Sequence, residues 1–184
     1  MTFFRRFKQF FVTSLVTSFV ACGLLSAGAA QAERGPATAE EGERIVKLAA
    51  VADKDPLAAM SSAEGRWFQK WADDVPDYMF GPDKGVFWFH NGVAKGDLMR
   101  VLRFHHTVST AAFQLQKKIK DPMRNEADDE LKTLAGVEGV LRAYESLVAK
   151  NPDNRVPAID DLIAARNKGG LAELVKKMPP MPSR

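Results

Sequence analysis

Apolar residues recur at intervals of three and four along most of the chain after residue 37, the periodicity of amphipathic α-helices. Thr38 and Glu41 have the spacing of a capping box, and prolines or glycines separate the periodic segments. Helices are predicted over residues 38–52, 56–74 (one bent helix or two short ones), 98–119, 126–150, 157–168 and 171–178. The pattern predicts an all-α fold, a single-domain bundle of four to six helices.

The segment 98–119 is predicted to be the central helix. At about 100° per residue, its most polar positions fall on one narrow arc: Arg100, Arg103, Thr107, Thr110, Gln114 and Lys118. The remaining arc is wider than the apolar stripe of an ordinary surface helix, so neighbours should enclose most of this helix. In the next long segment, Gly136 and Gly139 lower intrinsic helix stability, which suggests a close approach of another helix there.

Residues 75–96 are predicted to be irregular and rich in aromatic side chains. Eight of the eleven aromatic residues that follow residue 32 lie within 67–89. The consecutive Phe87, Trp88 and Phe89 cannot all be buried on one side of a helix or strand. The segment is therefore either a loop packed as satellite core or a recognition patch. The candidate binding residues are Trp67, Trp71, Tyr78, Phe87, Trp88, Phe89 and His90.

The first 32 residues have the features of a signal peptide. Basic residues precede an apolar run diluted by serine, threonine and glycine, and Ala30-Gln31-Ala32 forms a cleavage pattern. We expect cleavage before Glu33, a periplasmic or secreted domain over 33–178, and no stable membrane span after cleavage. Cys22 loosely resembles a lipoprotein cysteine, but a phenylalanine begins the box and apolar residues follow it, which argues against lipidation.

Charge excludes one class of partner. The leader contains three basic residues and no acidic one, which accounts for the whole formal charge of +3. The rest of the chain is formally neutral, so nucleic acid is not an expected partner.

The only cysteine lies in the leader, so cleavage would exclude disulfides and thiolate chemistry. The last residues, 179–184, are predicted to be a flexible proline-rich tail.

Three polar residues interrupt the apolar arc of the central helix: His105, Ser109 and Gln116, within about 40° of one another. Such a line is either a satisfied core network or the wall of an internal cleft. In the second case His105 would be a general acid or base, with Glu138 on the following helix as its carboxylate partner.

The chain lacks the familiar short catalytic and cofactor-binding motifs, and we predict no cofactor and no metal site. The leading hypothesis is an exported, non-enzymatic binding protein. Its aromatic patch would contact a protein partner or a small apolar ligand. The alternatives are a small periplasmic enzyme using His105, and a haem or copper bundle using His105 or His106 with Met99.

Overall fold

A computed structural model describes residues 34–80 and 93–178, which belong to one compact unit beginning at Glu33. The all-α bundle is confirmed, since these residues contain no strand. They form seven α-helices: α1 Ala39–Ala52, α2 Pro56–Ser61, α3 Ala63–Asp74, α4 Gly96–Lys117, α5 Glu126–Lys150, α6 Pro157–Asn167 and α7 Leu171–Lys176. None of these helices has the length and apolarity needed to cross a membrane.

Several predictions fall outside these residues and stay predictions. They concern the leader, the proline-rich tail, and four candidate binding residues: Phe87, Trp88, Phe89 and His90. The described part of the aromatic segment before them, residues 75–80, contains no helix, as expected.

Side-chain caps explain where α1, α2, α3 and α5 begin. The capping box at Thr38 is present, with Thr38 Oγ1 accepting from the Glu41 amide at 3.2 Å. The segment 56–74 is two helices, because Ser62 leaves helical geometry and its hydroxyl accepts from the Gly65 amide. The described residues therefore form one helix more than the upper number expected.

Helix α4 is central, as predicted, and separates two hydrophobic clusters. On one side α1, α2 and α3 pack against it around Ile45, Phe68 and Val108. On the other side its first turns join a cluster with α5, α6 and α7, centred on Leu102 and Leu141. The predicted polar arc is not continuously exposed, because Thr110 and Gln114 are buried between the exposed Arg103 and Lys118.

The end of α4 departs from the prediction. Gln116, expected on the buried line, is exposed, and Gln114 is fully buried instead. Gln114 Nε2 donates to the carbonyls of Met79 (3.0 Å) and Ile119 (2.9 Å). The chain after α3 packs against this end of the helix, and the glutamine amide gives two of the backbone carbonyls there a donor.

Candidate functional site

His105 lies at the centre of a buried polar network. Its side chain is fully buried, with Nδ1 3.1 Å from Ser109 Oγ and Nε2 3.1 Å from Asp53 Oδ1. The other Asp53 oxygen lies 2.9 Å from Arg142 Nε. Asp53 is the C-cap of α1, and Arg142 is on α5, so the network joins three helices.

The predicted carboxylate partner of His105 was wrong. Asp53, not Glu138, faces the imidazole, and Ser109 faces the other ring nitrogen. Glu138 is partly exposed on α5, and its charge acts on Arg166 of α6. Asp53 ends α1 only 52 residues upstream of His105, and helical periodicity within one segment carries no information about such a contact between helices.

The network has no room for a substrate on its α5 side. A Cβ atom at Gly139 would overlap Ser109 Oγ and Cβ, and it would lie 3.3 Å from His105 Nδ1. A Cβ at Gly136 would lie 2.6 Å from His106 Nε2. The two glycines thus permit the predicted close approach, and the α5 backbone covers the polar face of α4. A nucleophilic serine needs open space beside its oxygen, so this arrangement favours the core-network interpretation.

The ionised carboxylate of Asp53 contributes to the stability of the fold. Burial of its carboxyl favours the neutral form, but the contacts with His105 and Arg142 outweigh burial and hold its pKa below the ordinary value of 3.8. Stability that depends on the ionised carboxylate is therefore present above the unfolded pKa, near 3.9. It is lost as the pH falls through the lower folded pKa.

Asp53→Asn is expected to lower the free energy of unfolding at pH 7 by about 1–2 kcal/mol. Hydrogen bonds to charged groups contribute about 1.5–3 kcal/mol, and we discount this because Arg142 is 42% exposed. Urea denaturation of parent and variant should be measured at pH 7, 5, 4 and 3. The difference in their free energies of unfolding should stay constant down to pH 5 and become smaller below about pH 4.

Asp161→Asn is the matched control, because Asp161 is exposed and its replacement removes the same charge. It should change stability by less than about 0.5 kcal/mol. If the difference in free energy of unfolding between parent and Asp53→Asn stays constant from pH 5 to pH 3, the ionised Asp53 carboxylate does not stabilise the fold as assigned.

The described aromatic residues are distributed between core and surface. Trp71, a candidate binding residue, is only 3% exposed and stacks on Phe68 with ring centroids 6.1 Å apart. Trp67 is partly buried, with the Arg44 guanidinium 3.7 Å above its ring centroid. Tyr78 is also partly buried and stacks on Phe80. Trp71 is therefore a core residue, whereas Trp67 and Tyr78 keep contact with solvent.

Of the two histidines in the haem or copper alternative, the structure argues against His105 as a ligand. Both ring nitrogens of His105 contact protein groups, and Met99 packs against the hydrophobic cluster of α5–α7. Over residues 34–80 and 93–178, no three His, Cys, Asp or Glu side chains are grouped so that they could hold a metal ion.

An apolar groove of about 640 Å³ lies between α1 and the end of α4, and we call it the Tyr78 groove. Its apolar lining comes from Gly42 and Val46 of α1, Leu115 of α4, and the Tyr78 ring. Burial raises the pKa of Tyr78, which keeps its hydroxyl neutral. Leu115 lies outside the predicted polar arc of this helix, and only the packing of α1 shows that it is incompletely covered.

Hydrogen bonds hold Tyr78 in place from both sides. Its neighbour Asp77 accepts from the Ala37 amide at 2.8 Å, and the other Asp77 oxygen accepts from Lys120 Nζ at 2.8 Å. Met79, on the other side, donates its amide to the Lys120 carbonyl at 2.9 Å. The ring is thus positioned by the chain before α1 and the chain after α4.

Sequence reasoning identified Tyr78 but missed the rest of this groove. The signal that could have found it is Gly42, a residue without a side chain within an otherwise regular helix. The comparisons with known proteins found no counterpart, since no family model, no curated protein and no solved structure matches this chain significantly.

Proposed function

We propose that this protein is an exported binding protein, not an enzyme, and that it holds a small apolar ligand in the Tyr78 groove. The observation that carries the proposal is the groove itself. Its volume of about 640 Å³ lies within the 300–1,000 Å³ typical of small-molecule sites. The export part of the proposal rests on the leader sequence of residues 1–32.

The chemistry of the lining supports an apolar ligand. Val46, Leu115 and Tyr78 supply aliphatic and aromatic surface that remains partly accessible. Burying such surface against a ligand is favourable by about 25 cal/mol per Å². Most of the accessible lining surface is apolar, and the polar side chains in the lining are those of Thr38, Glu43, Lys47, Gln116, Lys118 and Lys120. A site of apolar walls with a few polar groups is typical of small-molecule recognition.

Preorganisation supports binding rather than incidental exposure. The hydrogen bonds of Asp77 and Met79 fix the segment that carries Tyr78, so little conformational freedom remains to be lost when a ligand enters. The buried histidine, in contrast, lies against the α5 backbone, which favours a structural role over acid–base catalysis.

Filling the groove should weaken binding without unfolding the protein. A Cβ at Gly42 would lie 3.8 Å from Leu115 Cδ2, an ordinary contact, so alanine fits and a leucine extends into the groove. With the neutral fluorescent probe N-phenyl-1-naphthylamine, Gly42→Leu is expected to raise the Kd at least about tenfold, the equivalent of 1.4 kcal/mol.

Gly42→Ala is the matched control and should change the Kd by less than about twofold. Its helix should gain about 0.5–1 kcal/mol, because glycine is unfavourable within a helix. Circular dichroism would verify that both variants fold. If the parent binds the probe saturably and Gly42→Leu binds it equally well, the proposed location is refuted. If the parent protein shows no saturable binding, the proposed function is refuted.

A further inference from the structure

A second groove of about 640 Å³, which we call the arginine groove, lies between α3 and α4. Its floor contains Phe68 and Phe104, whose rings meet edge to face with centroids 5.9 Å apart. Both side chains are nearly buried, at 1% and 6% exposed. The charged side chains that line the groove are Arg66, Arg100, Arg103 and Asp73.

The lining is strongly cationic, with three guanidinium groups against one carboxylate. Arg66 donates to the Ser61 carbonyl, which is an uncharged acceptor. Arg100 lies 3.4 Å from Asp97, but both side chains are well exposed, so this ion pair contributes little. The guanidinium of Arg103 forms no ion pair or hydrogen bond within residues 34–80 and 93–178.

Helix electrostatics do not account for these arginines. Cations are favoured in the last turn of a helix, and the effect fades within one turn of either end. Lys117 fits that rule at the end of α4. Arg100 and Arg103 are instead the fifth and eighth residues of the same helix, well away from its C-terminus.

We propose that the arginine groove is a second binding site, for an organic carboxylate with a flat apolar body. The planar guanidinium fork matches a carboxylate through two parallel hydrogen bonds. The apolar body would lie against Met60 and Ala72, the partly exposed apolar side chains of the lining, above the buried rings of Phe68 and Phe104. This site is separate from the Tyr78 groove and does not depend on it.

Calorimetric titration with 2-naphthoate tests the proposal, with 2-naphthalenemethanol as a neutral ligand of the same shape. The acid is expected to bind at least about tenfold more tightly than the alcohol. Arg100→Gln and Arg103→Gln are each expected to weaken naphthoate binding about three- to tenfold and to have little effect on the alcohol. Lys117→Gln removes a charge from the same helix outside this groove and should change neither Kd.

Two further measurements test whether naphthoate binds in the Tyr78 groove instead and whether any anion binds equally well. Gly42→Leu should leave naphthoate binding unchanged, which assigns the signal to the arginine groove even if the Tyr78 groove binds nothing. Inorganic phosphate should bind at least tenfold more weakly than naphthoate. The proposal is overturned if the acid and the alcohol bind equally, or if phosphate binds as tightly as naphthoate. It is also overturned if both arginine variants keep the parent affinity, or if naphthoate does not bind at all.

Discussion

Trp71→Ala is expected to lower the free energy of unfolding by about 3–5 kcal/mol, the usual cost of truncating a buried tryptophan or phenylalanine. Trp71 is 3% exposed and contacts Phe68 and Phe80, with ring centroids 6.1 and 5.6 Å away. The loss is a large fraction of the 5–15 kcal/mol that stabilises a typical protein. Thermal denaturation should show a melting temperature lower by about 6–20 °C.

Trp67→Ala is the matched control, one turn earlier on the same helix. Trp67 is partly exposed and its outer face is covered by Arg44, so its truncation should cost clearly less than that of Trp71. Equal losses for the two variants, or a Trp71→Ala variant as stable as the parent, would contradict the assignment of Trp71 to the core.

Gly139→Ala is expected to destabilise the protein by about 2 kcal/mol. Alanine normally strengthens a helix by about 1 kcal/mol relative to glycine. Here its Cβ would overlap both the Oγ and the Cβ of Ser109, so α4 and α5 must separate. Overpacking of this kind costs about 1–3 kcal/mol and occasionally more. Chemical denaturation would measure the loss.

The size of the side chain at Ser109 provides the internal check. The double variant Gly139→Ala/Ser109→Gly should be more stable than Gly139→Ala alone, because removal of the serine side chain makes room for the new methyl group. A double-mutant cycle would report that coupling. Gly42→Ala, where the nearest atom is 3.8 Å away, should stabilise the protein instead. A stabilising Gly139→Ala would refute the close helix approach.

The helical framework could be predicted because its determinants are local. Periodicity and capping placed α5 at its observed limits, 126–150, and the Thr38 capping box placed the start of α1. The glycines of α5 also predicted a close contact correctly, since intrinsically weak helix formers persist where a side chain does not fit. These features depend on residues within one or two turns of each other.

The candidate sites could be predicted only in part, because each depends on which helices meet. The sequence identified His105 as buried and polar but paired it with Glu138, whereas the fold brings the end of α1 to it and supplies Asp53. Trp71 is of a residue type common in interfaces, but the fold packs it against Phe68 and Phe80 in a core cluster. Neither groove follows from one helix alone, since each has walls from separate segments.

The sequence by itself determined the helices, their limits to within a few residues and the central position of α4, because hydrogen bonds, caps and amphipathic periodicity act over short separations. Only the tertiary structure decided which polar groups are paired, which aromatic rings are covered and where open volume remains. Gln114 and Gln116 show the reason most directly. Two residues apart on one helix, they differ in burial because the chain after α3 packs against one and not the other.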